Sequence, residues 1–266
     1  MRSEHLPDFL ASPLIEVVLG VQFDPPKGYQ QIHAGEVWQL FRAKYSNVQE
    51  LPPLPPAFET FGRPSLASQL KFVTGATHDR FWFVRPDGDQ LIQFQQDRLL
   101  HNWRKVEGTA NQYPRFPSMI SAFREEIEAL RQYLTKFTSE GLVINQCEVS
   151  YINHIAVAEG KRLIASDWLR CGTFCSPDSE DFSIMFREIT YSEDRKPQGR
   201  LTCEALTGII NEGQRMIQLT LTNRGAPRSS DIASALEFLE QGHELIVNRF
   251  AEVTTEEAHK VWGRVK

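Results

Sequence analysis

One alternating pattern of apolar and polar residues occurs twice in this chain, and a long amphipathic helical pattern follows each occurrence. Leu91-Ile92-Gln93-Phe94-Gln95 aligns with Met216-Ile217-Gln218-Leu219-Thr220, and Arg224, in the Asn223-Arg224-Gly225 turn, reads as the duplicate of Arg98 one residue out of that register. Glu16-Val17 and Glu148-Val149 each lie early in an apolar run. The expected fold class is therefore α+β. Two tandem copies of a strand–helix–antiparallel strands–long helix unit, residues 1–141 and 142–266, would form a curved antiparallel sheet with helices on one face. Runs of hairpin strands with segregated helices exclude a parallel doubly wound sheet.

The local signals behind this reading are specific. Leu14–Phe23 reads as a strand ended by Pro25-Pro26, and residues 31–45 as a helix. Pro86-Asp87-Gly88-Asp89 separates two strand patterns, and Asp-Gly accepts positive φ cheaply, so a hairpin is expected there. Leu99–Lys105 continues the sheet. Ile120, Phe123, Ile127, Leu130, Leu134 and Phe137 recur at helical spacing. They form one apolar stripe, with Ser118 expected as the cap and Gly141 as the stop. In the second half, 142–157, 182–191, 200–207 and 214–222 read as strands, and 165–170 and 230–250 as helices. Thr254 and Glu257 suggest a capping box for a last short helix. Residues 1–12 read as a tail, and 58–73 as one or two strands. Leu51-Pro52-Pro53-Leu54-Pro55-Pro56 cannot continue a helix or enter a central strand, so it should cross extended over the surface or between layers.

Composition narrows the function classes. The chain has 266 residues and a net charge of −5, without the overall basic footprint of a nucleic-acid binder. No run approaches the ~18 apolar residues that span a bilayer, and the N-terminus lacks a signal-peptide pattern. Four cysteines in a chain of this size need no disulfide framework, so a reduced, cytoplasmic setting is expected.

The densest polar cluster is Asp97-Arg98 with His101-Asn102-Trp103-Arg104, to which the alignment adds Arg224. Arginine suits an anionic group and tryptophan suits stacking, so these seven residues are the candidate binding site. The competing reading is a structural network in which Asp97 pairs with Arg98 or Arg104 and Trp103 fills the core. Cys171 and Cys175 lack the second knuckle of a zinc site, so no metal is expected. Cys147 and Cys203 read as buried fillers, and His154 is the one base a cysteine nucleophile could use. Glu16 and Glu148 could act as paired carboxylates, but one glutamate per copy that accepts a hydrogen bond or pairs with an arginine is the favoured account. His243 lies on a helical apolar stripe and reads as a core or boundary histidine. No phosphate loop, nucleophile elbow or zincin motif occurs, and no cofactor is expected.

Residues 13–23, PLIEVVLGVQF, resemble the opening of a sporadically distributed prokaryotic family of about 250-residue uncharacterised proteins. The resemblance continues through Asp97-Arg98, Asn102-Trp103-Arg104, Tyr113-Pro114, Tyr151-Ile152-Asn153 and the ending from Gly242-His243-Glu244 to Trp262. It carries over no catalytic residue. It implies an accessory gene, such as part of a toxin–antitoxin or phage-defence module. The expectation is a non-enzymatic binding or adaptor protein whose partner is another protein, encoded by a neighbouring gene for instance. The alternative is a nucleotide- or nucleic-acid-binding protein, with or without hydrolytic activity.

Overall fold

A computed structural model describes residues 6–62, 79–109, 111–139, 141–157, 161–210 and 214–265. Its main feature is one antiparallel sheet of nine strands. The strands are β1 (Leu14–Phe23), β2 (Asn47–Leu51), β3 (Arg80–Val84), β4 (Gln90–Gln95), β5 (Arg98–Arg104), β6 (Ile144–Ala156), β7 (Ser183–Tyr191), β8 (Pro197–Ile210) and β9 (Gln214–Gly225). The helices are α1 (Ala34–Phe41), α2 (Phe116–Leu134), α3 (Ala165–Trp168), α4 (Ile232–Val253) and α5 (Glu256–Val261).

This arrangement overturns the expected α+β fold class of two helix-bearing units. The sheet dominates, and among the described residues only α2 and α4 are longer than eight residues. The physical reason is that alternating strand patterns occupy most of the regular structure, and they join across β1 and β6, from Glu16 opposite Ile152 to Gln22 opposite Gln146, into one sheet that needs only two long helices to cover it. That pairing makes one continuous hydrogen-bonded layer, which no local sequence pattern announces. Outward from it the order is β1, β5, β4, β3, β2 on one side and β6, β9, β8, β7 on the other.

Leu91–Gln95 and Met216–Thr220 are not equivalent strands in the sheet. β4 lies two strands from β1, whereas β9 lies directly beside β6. Arg98 does not correspond to Arg224. Glu16 stands opposite Arg104 as Glu148 stands opposite Arg224.

Strand alternation gives the sheet one apolar and one polar face. Val17, Leu19, Val21, Phe94, Leu99, Val149, Leu219 and Leu221 are all buried in the core, with Phe123, Ile127 and Leu130 of α2 and Leu236, Leu239 and Ile246 of α4. α2 packs on β1 and β5, α4 on β6 and β9, and the two helices touch each other. Gly20 leaves room for the Leu100 side chain, which crosses the middle of the opposite face. A Cβ there would come within 2.4 Å of Leu100 Cδ2.

Several boundaries differ from the sequence reading. α2 begins at Phe116 with Arg115 at its N-cap and Pro117 in its first turn, so Ser118 is inside the helix. Thr255, not Thr254, caps α5 by accepting from the Ala258 amide. β2, an exposed edge strand, was not anticipated. Residues 6–12 are not a free tail, because Phe9 is buried against Phe250 and Trp262. Residues 58–62 form no strand, and 63–73 lie outside the described residues.

Candidate functional site

The polar face is assembled by register. Gln22 lies opposite both Arg98 and Gln146, and Arg224 lies opposite both Glu148 and Arg200. Thr222 and Thr202 form the adjacent row, with Arg187 of β7 opposite Thr202. Cationic and amide groups from β4, β5, β1, β6, β9 and β8 therefore run across one side of the sheet.

The proline-rich segment 52–62 crosses this face as an extended strap. It is held mainly by side chains of the sheet. Gln95 Nε2 donates to Leu54 O at 2.9 Å, and its Oε1 accepts from Leu54 N at 2.9 Å. Arg98 Nη2 donates to Pro55 O at 3.1 Å, and Gln22 Oε1 accepts from Ala57 N at 2.9 Å. The strap ends over β8, where Arg200 Nη1 donates to Glu59 Oε2 at 2.5 Å and Arg200 Nη2 donates to Thr60 O at 2.8 Å. Arg224 Nη1 lies 3.9 Å from Glu59 Oε1, and Arg224 Nε donates to Glu148 Oε2 at 2.6 Å.

A polar cleft of about 330 Å³ lies beside the end of the strap, lined among others by Glu59, Arg187, Arg200, Thr202, Thr222 and Arg224. Three arginines from three adjacent strands line it. Arg187 is exposed and has no hydrogen-bond or ion-pair partner among the described residues. A second cleft of about 420 Å³ lies near the β7–β8 turn, and Glu59 lines both.

The residues singled out from sequence divide between the two faces. Asp97 and Arg98 are buried, and Asp97 accepts from Arg98 Nε and Nη2 at 3.0 Å each and from Gln95 Nε2 at 3.0 Å. This pair anchors the strap. Asn102 donates to Glu16 at 2.6 Å and accepts from Gln93 at 3.0 Å. Arg104 donates to Gly88 O at 2.7 Å, fastening the β3–β4 turn, and its guanidinium lies over Trp82. His101 and Trp103 project to the opposite, apolar face and are buried. The period of two along β5 prevents these side chains from sharing one surface. Of the seven, only Arg224 reaches the cleft.

Glu16 and Glu148 do not form a carboxylate pair. Glu148 lies opposite Gly20, four residues along β1 from Glu16, or about 13 Å by strand rise. Burial raises the Glu16 pKa, while Asn102 and Arg104 pull it back. Cys147 points to the apolar face and His154 to the polar face, so they cannot act together. Burial also drives the Cys147 thiol upward and that of Cys203 up to about 12, which suppresses the nucleophilic thiolate. No group of three metal-ligating side chains occurs among the described residues.

Sequence reasoning missed several functional-looking groups. Glu126 of α2 is buried, accepts from Tyr45 Oη at 2.6 Å and lies 2.8 Å from His101 Nδ1. Its signal was a glutamate three residues from Phe123 and four from Leu130, inside the apolar stripe. Tyr151 Oη lies 2.9 Å from Tyr113 Oη and 2.7 Å from His243 Nδ1, and burial raises both tyrosines. His243 stacks on Phe116 with ring centroids 4.0 Å apart, as a boundary histidine would. Both networks lie beneath the helices and line neither cleft. Arg187, Arg200 and Glu59 carried no local signal.

Among the described residues no helix is long and apolar enough to cross a membrane. No family model matches the chain, and no curated protein matches it.

Proposed function

We propose that this chain is a non-enzymatic binding protein that receives an acidic region of a partner protein on the polar face of the sheet, beside β7. The observation that carries the reading is the convergence of Arg187, Arg200 and Arg224, with Arg187 exposed and unpartnered among the described residues. Arginine is enriched at binding hot spots, and its planar fork suits carboxylates. The surface continues onto β7, the last strand of the sheet. There Met185, Ile189 and Tyr191 alternate with Arg187 and are 48%, 37% and 59% exposed. An unpaired strand edge with apolar and cationic side chains is suited to an added segment from another chain. A cytoplasmic setting, the kinship with the sporadically distributed family and a place in a toxin–antitoxin or defence module belong to the same proposal.

A nucleotide- or nucleic-acid-binding reading draws on the same arginines together with Phe58 and Phe61, whose rings could stack on bases. The net charge of −5 opposes an extended polyanion. The two readings separate in one experiment. Tagged protein should retain a partner protein from an extract of its own host after nuclease treatment, and Arg187→Glu should lower that retention at least tenfold with an unchanged melting temperature. Retention lost on nuclease treatment would favour nucleic acid. Retention indifferent to Arg187→Glu would remove this end of the sheet as the docking surface.

A further inference from the structure

We infer that the cleft formed by Arg187, Arg200, Thr202, Thr222 and Arg224 is a phosphoryl-binding site, and that Glu59 on the strap is its built-in occupant. The inference rests on the reading of this end of the sheet as the docking end, and it names the chemistry of the group received there.

The carboxylate of Glu59 sits where a ligand anion would sit. Its Oε2 accepts from Arg200 Nη1 at 2.5 Å, and its Oε1 faces Arg224 Nη1 at 3.9 Å. The Glu59 and Arg200 side chains are 12% and 14% exposed, so the pair is largely removed from water. Yet the carboxylate uses only part of the site. Arg187 is unengaged, and Thr202 and Thr222 line the same cleft, the Thr222 hydroxyl sharing a 2.8 Å hydrogen bond with Ser150 Oγ. Arg200 and Arg224 hold the two carboxylates in contact with them, Glu59 and Glu148, and Arg187 adds one positive charge that pairs with no described carboxylate. When Glu59 leaves, Glu148 alone remains, and the excess of positive charge becomes two. That matches a phosphate monoester dianion, whose oxygens can take arginine forks and hydroxyl donors at once. A monoanionic carboxylate matches it less well.

The occupant can leave without breaking a backbone ladder. Segment 52–62 belongs to no strand beyond Leu51 and is tied down mainly by side chains of the sheet. Phe58 and Thr60, which flank Glu59, are exposed. Because Glu59 lines both clefts, its withdrawal would join them. The strap thus behaves as a tethered competitor, and an incoming phosphoryl group must displace it to bind.

Calorimetric titration of the full chain with inorganic phosphate tests this. Glu59→Gln keeps the strap's backbone contacts and removes the competing charge, so it should bind phosphate at least tenfold more tightly than the native chain. Arg187→Gln in that background should bind at least tenfold more weakly, with an unchanged melting temperature. Acetate should bind at least tenfold more weakly than phosphate. A folded Glu59→Gln with phosphate affinity at or below the native value overturns the inference, as does acetate binding as tightly as phosphate. Should Glu59→Gln fail to fold, Arg187→Gln in the native chain must still weaken phosphate binding, since Arg187 supports no other described group. If phosphate binding is indifferent to Arg187 while partner retention is lost in Arg187→Glu, the phosphoryl site falls and the docking surface stands.

Discussion

Tyr45 donates a 2.6 Å hydrogen bond to Glu126 inside the core, joining the turn after α1 to the buried side of α2. The carboxylate also lies 2.8 Å from His101 Nδ1 on β5, so three segments distant in sequence share one buried acid. Burial and the neighbouring Glu126 raise the Tyr45 pKa, so the phenol stays protonated as a donor. Removing it leaves a carboxylate oxygen buried without its partner. Tyr45→Phe should cost about 1–3 kcal/mol, the usual penalty for such a group, measured by urea denaturation. No loss would mean that water replaces the phenol.

Arg98 and Arg187 should behave in opposite ways. Arg98 is buried and neutralises buried Asp97 while holding the strap through Pro55. Arg98→Ala strands Asp97 and should cost about 3–5 kcal/mol. Arg187→Ala, exposed on β7, should stay within about 0.5 kcal/mol of the native stability. Equal effects in the two variants would contradict this division between a structural and a free arginine.

Leu130 is fully buried in the centre of α2, among the side chains between helix and sheet. Leu130→Ala should cost about 2–5 kcal/mol, the range for a truncated core leucine. A loss below about 1 kcal/mol would place this side of α2 in solvent.

The pH response follows from two histidines. Burial lowers the pKa of His154 and of His259 below the ordinary 6.5, with Arg264 adding to the effect at His259. The unfolded chain therefore takes up protons first as the pH falls, and the stability these groups contribute is lost from about 6.5 downward. Glu16, raised by burial, works in the opposite sense and favours the folded state as it gains its proton. The urea midpoint should fall between about pH 7.5 and pH 5.5, and the fall should be smaller in His154→Gln. An identical fall in that variant would clear His154 of any part in it.

Much of the local architecture was legible in the sequence. Asp87-Gly88 marked the β3–β4 hairpin, and Gly88 adopts φ +76° there. The stripe from Ile120 to Leu134 marked the buried side of α2, and the four prolines marked an extended crossing. The candidate site was less legible. Clustering along β5 suggested one surface, but alternation sends Arg98, Asn102 and Arg104 to one face and His101 and Trp103 to the other. β2 escaped notice because its five exposed or half-buried residues carry no apolar pattern.

By itself the sequence determined most of the strands and the apolar stripes of the two long helices, because these depend on neighbours within a few residues. Only the tertiary structure decided that β1 pairs with β6, and that Glu59 meets an arginine 141 positions away. That meeting depends on strand order and on registers added across the sheet from β1 through β9 to β8. A shift of one residue in any of them would turn an arginine to the other face.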